Sequence, residues 1–366
     1  MTPKAAIRAE ALALFAAFQA EGAVPVDADI LLPAETLLDL YGEDIRARAY
    51  VTHDPLVGEM MLRPDFTVPV VQAHMAHGAD PARYTYLGEV FRRQDHLNAR
   101  AREYLQVGYE VFDRAAPEAA DAEVFALFAQ LLAPLNLRAA TGDMGLLLAA
   151  VGALETTPRR TAALMRHIWR PARFRALLDR FSGRTPLPAS RLHLIERLAR
   201  STPEALIEAA GVLIGLRSAE DIAARARALA EDADTPPVPE DQARVLDELL
   251  ALAAPASEAE RQLDRLARRM PALLPCVSSF STRLQSLEAR GVAVNDLSFA
   301  AAHGRSSMEY YDGFVFTFHA ADLDMPAIAS GGRYDALTAR LGAGRSIPAV
   351  GGVIRPGLVA RLKGVA

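Results

Sequence analysis

The sequence predicts an α+β fold: clustered antiparallel strands flanked by helices, with a helical insertion between two mixed segments. Three observations predict it. Strand-like runs rich in Tyr, Val and Phe occur near both ends of the chain, at 83–91, 106–112, 292–299 and 310–319. The stretch between, 139–270, is Ala, Leu and Arg in helical periodicity. Strands clustered in this way fit an α+β arrangement better than a doubly wound sheet. Three zones follow, at 1–138, 139–270 and 271–366.

Residues 5–18 place Ile7, Leu12, Leu14, Phe15 and Phe18 at helical spacing. Arg8 and Glu10 interrupt the run, so it does not read as a signal peptide. Leu62-Arg63-Pro64-Asp65-Phe66-Thr67 reads as a helix start, with Asp65 able to cap it. The runs 83–91 and 106–112 form an antiparallel hairpin across a polar connector at 92–102. Glu110 lies among apolar strand residues, so its carboxylate either faces solvent or is buried with a partner. A helix follows at 121–132. The middle zone predicts helices at 192–199, 203–216, 219–229 and 242–252. Thr235-Pro236-Pro237-Val238-Pro239 is a linker that cannot be helical throughout. In the last zone, Ser330-Gly331-Gly332-Arg333-Tyr334 reads as a turn into a helix at 335–341. Gly351-Gly352-Val353-Ile354 opens a final apolar segment.

Composition narrows the function classes. The 366 residues are 51% hydrophobic and 23% charged, enough for two or three domains. A net charge of -5 argues against a broadly basic nucleic-acid binder. The single cysteine, Cys276, allows no intramolecular disulfide and no CxxC site. The eight histidines show no HExxH spacing, so no metal is expected, and no P-loop, GxGxxG signature or internal repeat suggests a cofactor. The longest apolar run, 144–154, is shorter than the roughly 18 residues of a membrane span. A cytoplasmic location is expected.

Four segments in order carry a family resemblance: Leu62 to Thr67, Phe91-Arg92-Arg93-Gln94, Gln106-Val107-Gly108-Tyr109-Glu110 and Met308-Glu309-Tyr310-Tyr311. With the stretch 86–112 and the segment 330–341, they resemble the catalytic core of class II aminoacyl-tRNA synthetases, specifically histidyl-tRNA synthetase. The resemblance implies a mostly antiparallel sheet flanked by helices. It implies a pocket for histidine, with Asp65, Thr67 and Gln106 on the ammonium, Arg92 on the carboxylate, and Glu110 and Tyr311 beside Tyr310 on the imidazole. Such groups suit the ligand, because a desolvated ammonium needs acceptors and a carboxylate suits bidentate arginine. Asp65 departs from the family's usual Glu, which shortens the reach.

The same comparison implies lost chemistry. Gln94 stands where the family has an acidic residue near adenine, Ser306 where it has its specific arginine, and Leu358 where it has the third-motif arginine. Arg305 is one residue out of register, and Pro356 disturbs the last helix. Arg100 and Arg102 match phosphate-facing positions. Losing one preorganised charge costs about 10²–10³ in rate. The chain also stops where an anticodon-binding domain would follow, so no transfer RNA partner is expected. These features resemble the synthetase-like regulatory subunits of ATP phosphoribosyltransferase. That likeness implies a non-catalytic histidine sensor, a homodimer, and a hetero-octamer with a short-form catalytic subunit in the first step of histidine biosynthesis. Two alternatives stay open: a histidyl-tRNA synthetase of unusual form, and a scaffold with no ligand.

Overall fold

A computed structural model describes residues 4–41, 45–94, 101–305, 310–322 and 324–364. The chain divides into two compact units, one of Met1–Leu147 with Leu249–Ala366 and one of Leu148–Glu248. The first unit is built on a nine-stranded sheet. Its order is Val24–Pro25, Ala82–Phe91, Glu103–Phe112, Ala349–Ile354, Ala329–Arg333, Phe314–His319, Arg138–Asp143, Ser298–Ala300 and Ala253–Pro255. Val24–Pro25 and Ser298–Ala300 pair in parallel, each with one neighbour, and every other ladder is antiparallel.

The hairpin of Ala82–Phe91 and Glu103–Phe112 pairs along its whole length, from Ala82 opposite Phe112 to Phe91 opposite Glu103. Helices Lys4–Ala20 and Pro117–Leu132 both pack against the sheet. The first buries Ala11, Leu14 and Phe18, and the second buries Phe125 and Phe128. Phe18 meets Tyr109 and Phe128 at ring distances of 5.2 and 5.4 Å. Phe125 packs on Phe314, Phe316 and Phe318 of the next strand. Each buried ring contributes about 1.5–3 kcal/mol, so this aromatic layer is a main source of the unit's stability.

A buried ion network joins the elements behind the sheet. The Asp121 carboxylate accepts from Arg283 Nε at 2.8 Å and from Arg333 Nη2 at 2.7 Å. Arg283 Nη1 also donates to Asp143 at 2.9 Å, and Arg333 Nη1 to Asp335 at 3.1 Å. All but Asp335 are nearly inaccessible, so each charge depends on its partner.

Several sequence expectations are corrected. Residues 330–334 do not form a turn: Ala329–Arg333 is a fully buried strand paired on both sides. Its glycines are there for space, because a Cβ at Gly331 would overlap the Phe316 ring. The strand expected at 292–299 is only Ser298–Ala300, and the one expected at 310–319 is Phe314–His319. The helix expected at 203–216 is Pro203–Ala209. Gly211, at φ +86°, takes the chain out of the helical region. Val212, Ile214 and Leu216 stand in solvent, so their apolar spacing mimicked a packed face without one. Pro356 does not disturb the last helix but opens it, at the first position of Pro356–Leu362, where a missing N–H costs nothing. Among the described residues, no helix is long and apolar enough to cross a membrane.

The second unit is helical. It holds Pro158–Arg166, Pro171–Phe181, Ala189–Leu198, Pro203–Ala209 and Ala219–Asp234. Thr157, Thr202 and Ser218 cap their helices through side-chain oxygens.

Candidate functional site

Side chains alternate across a strand, so residues four apart share a face. Gln106 and Glu110 therefore point the same way from the Glu103–Phe112 strand, and both are about 1% exposed. Gly351 pairs opposite Glu110 in the next strand. A Cβ there would overlap the Glu110 carboxylate, so only glycine lets that group lie across the sheet.

A second wall comes from the segment ahead of helix Thr67–His77. Arg63 anchors it, with Nε donating to the Glu89 carbonyl at 2.8 Å and the guanidinium 4.1 Å over the Phe66 ring. Phe66 in turn stacks on Tyr86 at 4.4 Å. Asp65 and Thr67 are thereby held buried. Phe66 occupies the helix cap position with no side-chain bond, so the capping role expected of Asp65 is not found. Arg92 leaves the end of the hairpin strand. Its backbone N–H donates to the Arg102 carbonyl at 2.8 Å and its Nε to the Pro64 carbonyl at 3.0 Å, which ties the guanidinium to the 62–67 wall.

These walls enclose a narrow pocket with a free volume of about 10 Å³, room for about one water. Asp65, Thr67, Arg92, Gln106, Glu110, Tyr310 and Tyr311 line it together, joined by Tyr334, Gly352 and Val353. The last three were not singled out from sequence. A signal for Tyr334 was present: a carboxylate in an apolar strand needs donors, and tyrosines flank it in the fold.

Glu110 Oε1 accepts from the Tyr86 hydroxyl at 3.0 Å and Oε2 from the Tyr334 hydroxyl at 2.6 Å. Burial pushes its pKa up to about 8; the two tyrosine hydrogen bonds pull it down, and nearby Asp65 pushes it up again. Burial also raises the hydroxyls of Tyr86, Tyr310, Tyr311 and Tyr334 above the ordinary tyrosine range. Tyr310 is hydrogen-bonded to Thr67 and Tyr311, and the Tyr310 and Tyr311 rings meet edge to face at 4.6 Å. Neither amide atom of Gln106 has a hydrogen-bond partner among the described residues. An unsatisfied buried amide costs about 1–3 kcal/mol.

The positions expected to have lost chemistry are also placed. Gln94 Nε2 donates to the Arg92 carbonyl at 3.4 Å. Ser306, Met308, Glu309 and Arg100 lie outside the described residues. Arg305 is buried but is not among the pocket-lining residues. Leu358 sits on the last helix and carries no charge into the site. Arg355, which precedes that helix, lies within electrostatic range of Arg92 and Tyr311, and its Nη1 donates to the Ala327 carbonyl. Among the described residues, no group of three or more His, Cys, Asp or Glu is placed to hold a metal.

The family model for histidyl-tRNA synthetase matches residues 1–236 and 224–356. An ATP phosphoribosyltransferase regulatory subunit of Agrobacterium fabrum is 32% identical over 348 residues, covering 91% of each chain. The chain belongs to the ATP phosphoribosyltransferase regulatory subunits, on a histidyl-tRNA synthetase framework. The regulatory subunit of Chelativorans sp. is 32% identical over 359 residues, covering 94% of this chain and 93% of its own. Regulatory subunits of this family are non-catalytic components of the enzyme that their name specifies. The fold agrees. A solved ATP phosphoribosyltransferase regulatory subunit/histidyl-tRNA synthetase from Bacillus halodurans superposes with a TM-score of 0.66 at 20% identity, over 97% of this chain and 78% of that one. Histidyl-tRNA synthetase from Nostoc sp. superposes at 0.64, with 16% identity, over 100% and 74%.

Proposed function

We propose that this chain senses free histidine for a short-form ATP phosphoribosyltransferase catalytic subunit. It binds and activates that subunit, and it carries feedback inhibition by histidine in the first step of histidine biosynthesis. The observation that carries the ligand assignment is the buried Gln106 amide with neither atom partnered, in a pocket that also holds a carboxylate, a guanidinium and Glu110. Asp65, Thr67 and Gln106 receive the ammonium, Arg92 the carboxylate, and Glu110 with Tyr310 and Tyr311 the imidazole. When ionised, Glu110 takes one tyrosine hydroxyl at each oxygen and keeps acceptor capacity for a ligand N–H. Membership of the regulatory-subunit family supports the role; the pocket supports the effector.

The assembly follows the same reading: a homodimer of this chain within a hetero-octamer, with no transfer RNA partner. Feedback requires that histidine bind two states of the assembly with different affinity. The test is reconstitution. Phosphoribosyl-ATP formation by the short-form subunit is measured with and without this chain and titrated with histidine. Activation on mixing, reversal by histidine, calorimetric binding in the micromolar to millimolar range and no ATP–pyrophosphate exchange are expected. Failure to activate or co-purify with the cognate subunit would sink the regulatory role. Histidine-dependent pyrophosphate exchange would instead establish a synthetase.

A further inference from the structure

The helical unit carries a cavity that the histidine reading does not use. It measures about 550 Å³, counting its open mouth, and is lined by Arg160, Arg180, Arg191, Phe181, Thr185 and Asp232, among others. Three guanidiniums thus line the cavity with one carboxylate. Arg160 is satisfied: its Nε donates to Asp232 at 2.6 Å, and its Nη atoms reach the Pro236 and Asp232 carbonyls at 2.8 and 2.6 Å. It is a strut tying the Pro158–Arg166 helix to the end of Ala219–Asp234. Arg191 shares the same carboxylate more loosely, through Nη2 at 3.3 Å. Arg180 has no acidic partner among the described residues; its guanidinium lies 4.4 Å over the Phe181 ring. The Nε groups of Arg180 and Arg191 are both buried with no acceptor among the described residues.

Sequence context deepens the imbalance. Between positions 159 and 200 the acids are Asp179 and Glu196 alone, against a long series of arginines, although the whole chain is net -5. Burial disfavours the Arg180 charge, Arg191, Arg160 and Arg173 press on it further, and Asp232 relieves it in part. Subtracting the one carboxylate from three guanidiniums leaves two positive charges facing the cavity. Buried N–H donors with no acceptor are costly, and guanidiniums in pairs are suited to tetrahedral oxyanions.

We propose that this cavity is a binding site for a dianionic phosphoryl group, held by Arg180 and Arg191 and oriented by the Arg160–Asp232 pair. A dianion matches the residual charge, whereas a single carboxylate leaves one guanidinium uncompensated. The cavity exceeds a bare phosphate, so its ligand class is a small phosphate monoester. The site lies wholly within the helical unit and is independent of the amino-acid pocket.

The test uses the full chain, titrated at constant ionic strength with inorganic phosphate, ribose 5-phosphate and, as a monoanionic control, acetate. One saturable site is expected for both phosphates, tighter for the monoester and absent for acetate. Arg180→Gln should weaken phosphate binding at least tenfold. A second readout needs no variant: phenylglyoxal footprinting of the native chain, read by mass spectrometry, should show phosphate protecting Arg180 and Arg191. Histidine should not displace the phosphate. No saturable binding into the tens of millimolar would overturn the proposal. So would phosphate binding that survives Arg180→Gln and leaves Arg180 unprotected.

Discussion

Replacing Glu110 with Gln should flatten the dependence of stability on pH. In the folded chain burial holds the Glu110 carboxyl at about 8, against 4.5 for an ordinary glutamate. Between those two values the unfolded chain has released a proton that the folded chain still keeps. The unfolded state binds fewer protons there, so stability falls as pH rises through the window. Below 4.5 both states hold the proton, and above 8 both have lost it, so the change is confined to that interval. Three and a half pH units at about 1.4 kcal/mol each bound the loss at ~5 kcal/mol. Glutamine copies the neutral acid. Its carbonyl accepts from one of Tyr86 and Tyr334, and its amide donates to the hydroxyl oxygen of the other. Glu110→Gln should therefore match the native chain near pH 4.5 and exceed its stability by several kcal/mol at pH 8. Urea denaturation at half-unit steps from pH 4.5 to 9 measures this, and the difference between the chains cancels the titrating groups that are not coupled to Glu110. Parallel profiles would mean that the folded chain already holds an ionised Glu110, and would refute the reasoning.

Gln106→Leu should raise the stability of the empty chain by about 1–3 kcal/mol, because it removes an unsatisfied buried amide, yet weaken histidine at least tenfold by calorimetry. An unchanged dissociation constant would take Gln106 out of the site. Arg92→Gln should cost about 1.5–3 kcal/mol of histidine affinity, the worth of a charge-assisted hydrogen bond, and about 0.5–1.5 kcal/mol of stability from the lost bond to the Pro64 carbonyl. Asp121→Ala should destabilise the chain by about 3–5 kcal/mol, since it strips the shared partner from Arg283 and Arg333; a loss under 1 kcal/mol in urea would show that water replaces it. Gly351→Ala should cost about 1–3 kcal/mol and displace Glu110, so histidine affinity should fall with stability; intact affinity would mean that the carboxylate has another resting place.

The sequence by itself determined the hairpin, the helix after it and the short helix at Asp335–Leu341. Their signals are local: strand-forming residues in two runs, helical periodicity, and a polar connector of the right length. Which seven side chains to look for came from the family resemblance, and strand alternation alone accounts for only one pair of them, Gln106 and Glu110 on one face. What the tertiary structure alone decided was how those groups are charged and held. Ala329–Arg333 looks like a turn in one dimension and is a central strand in three, because its glycines answer the Phe316 ring rather than a bend. Glu110 is pushed toward its neutral form by burial, against the pull of the Tyr86 and Tyr334 hydroxyls, which come from segments far apart in the chain. The same holds for Asp121, whose two arginines arrive from more than 160 residues downstream. Burial and partnership are properties of the packed whole, and no window of sequence contains both members of those pairs.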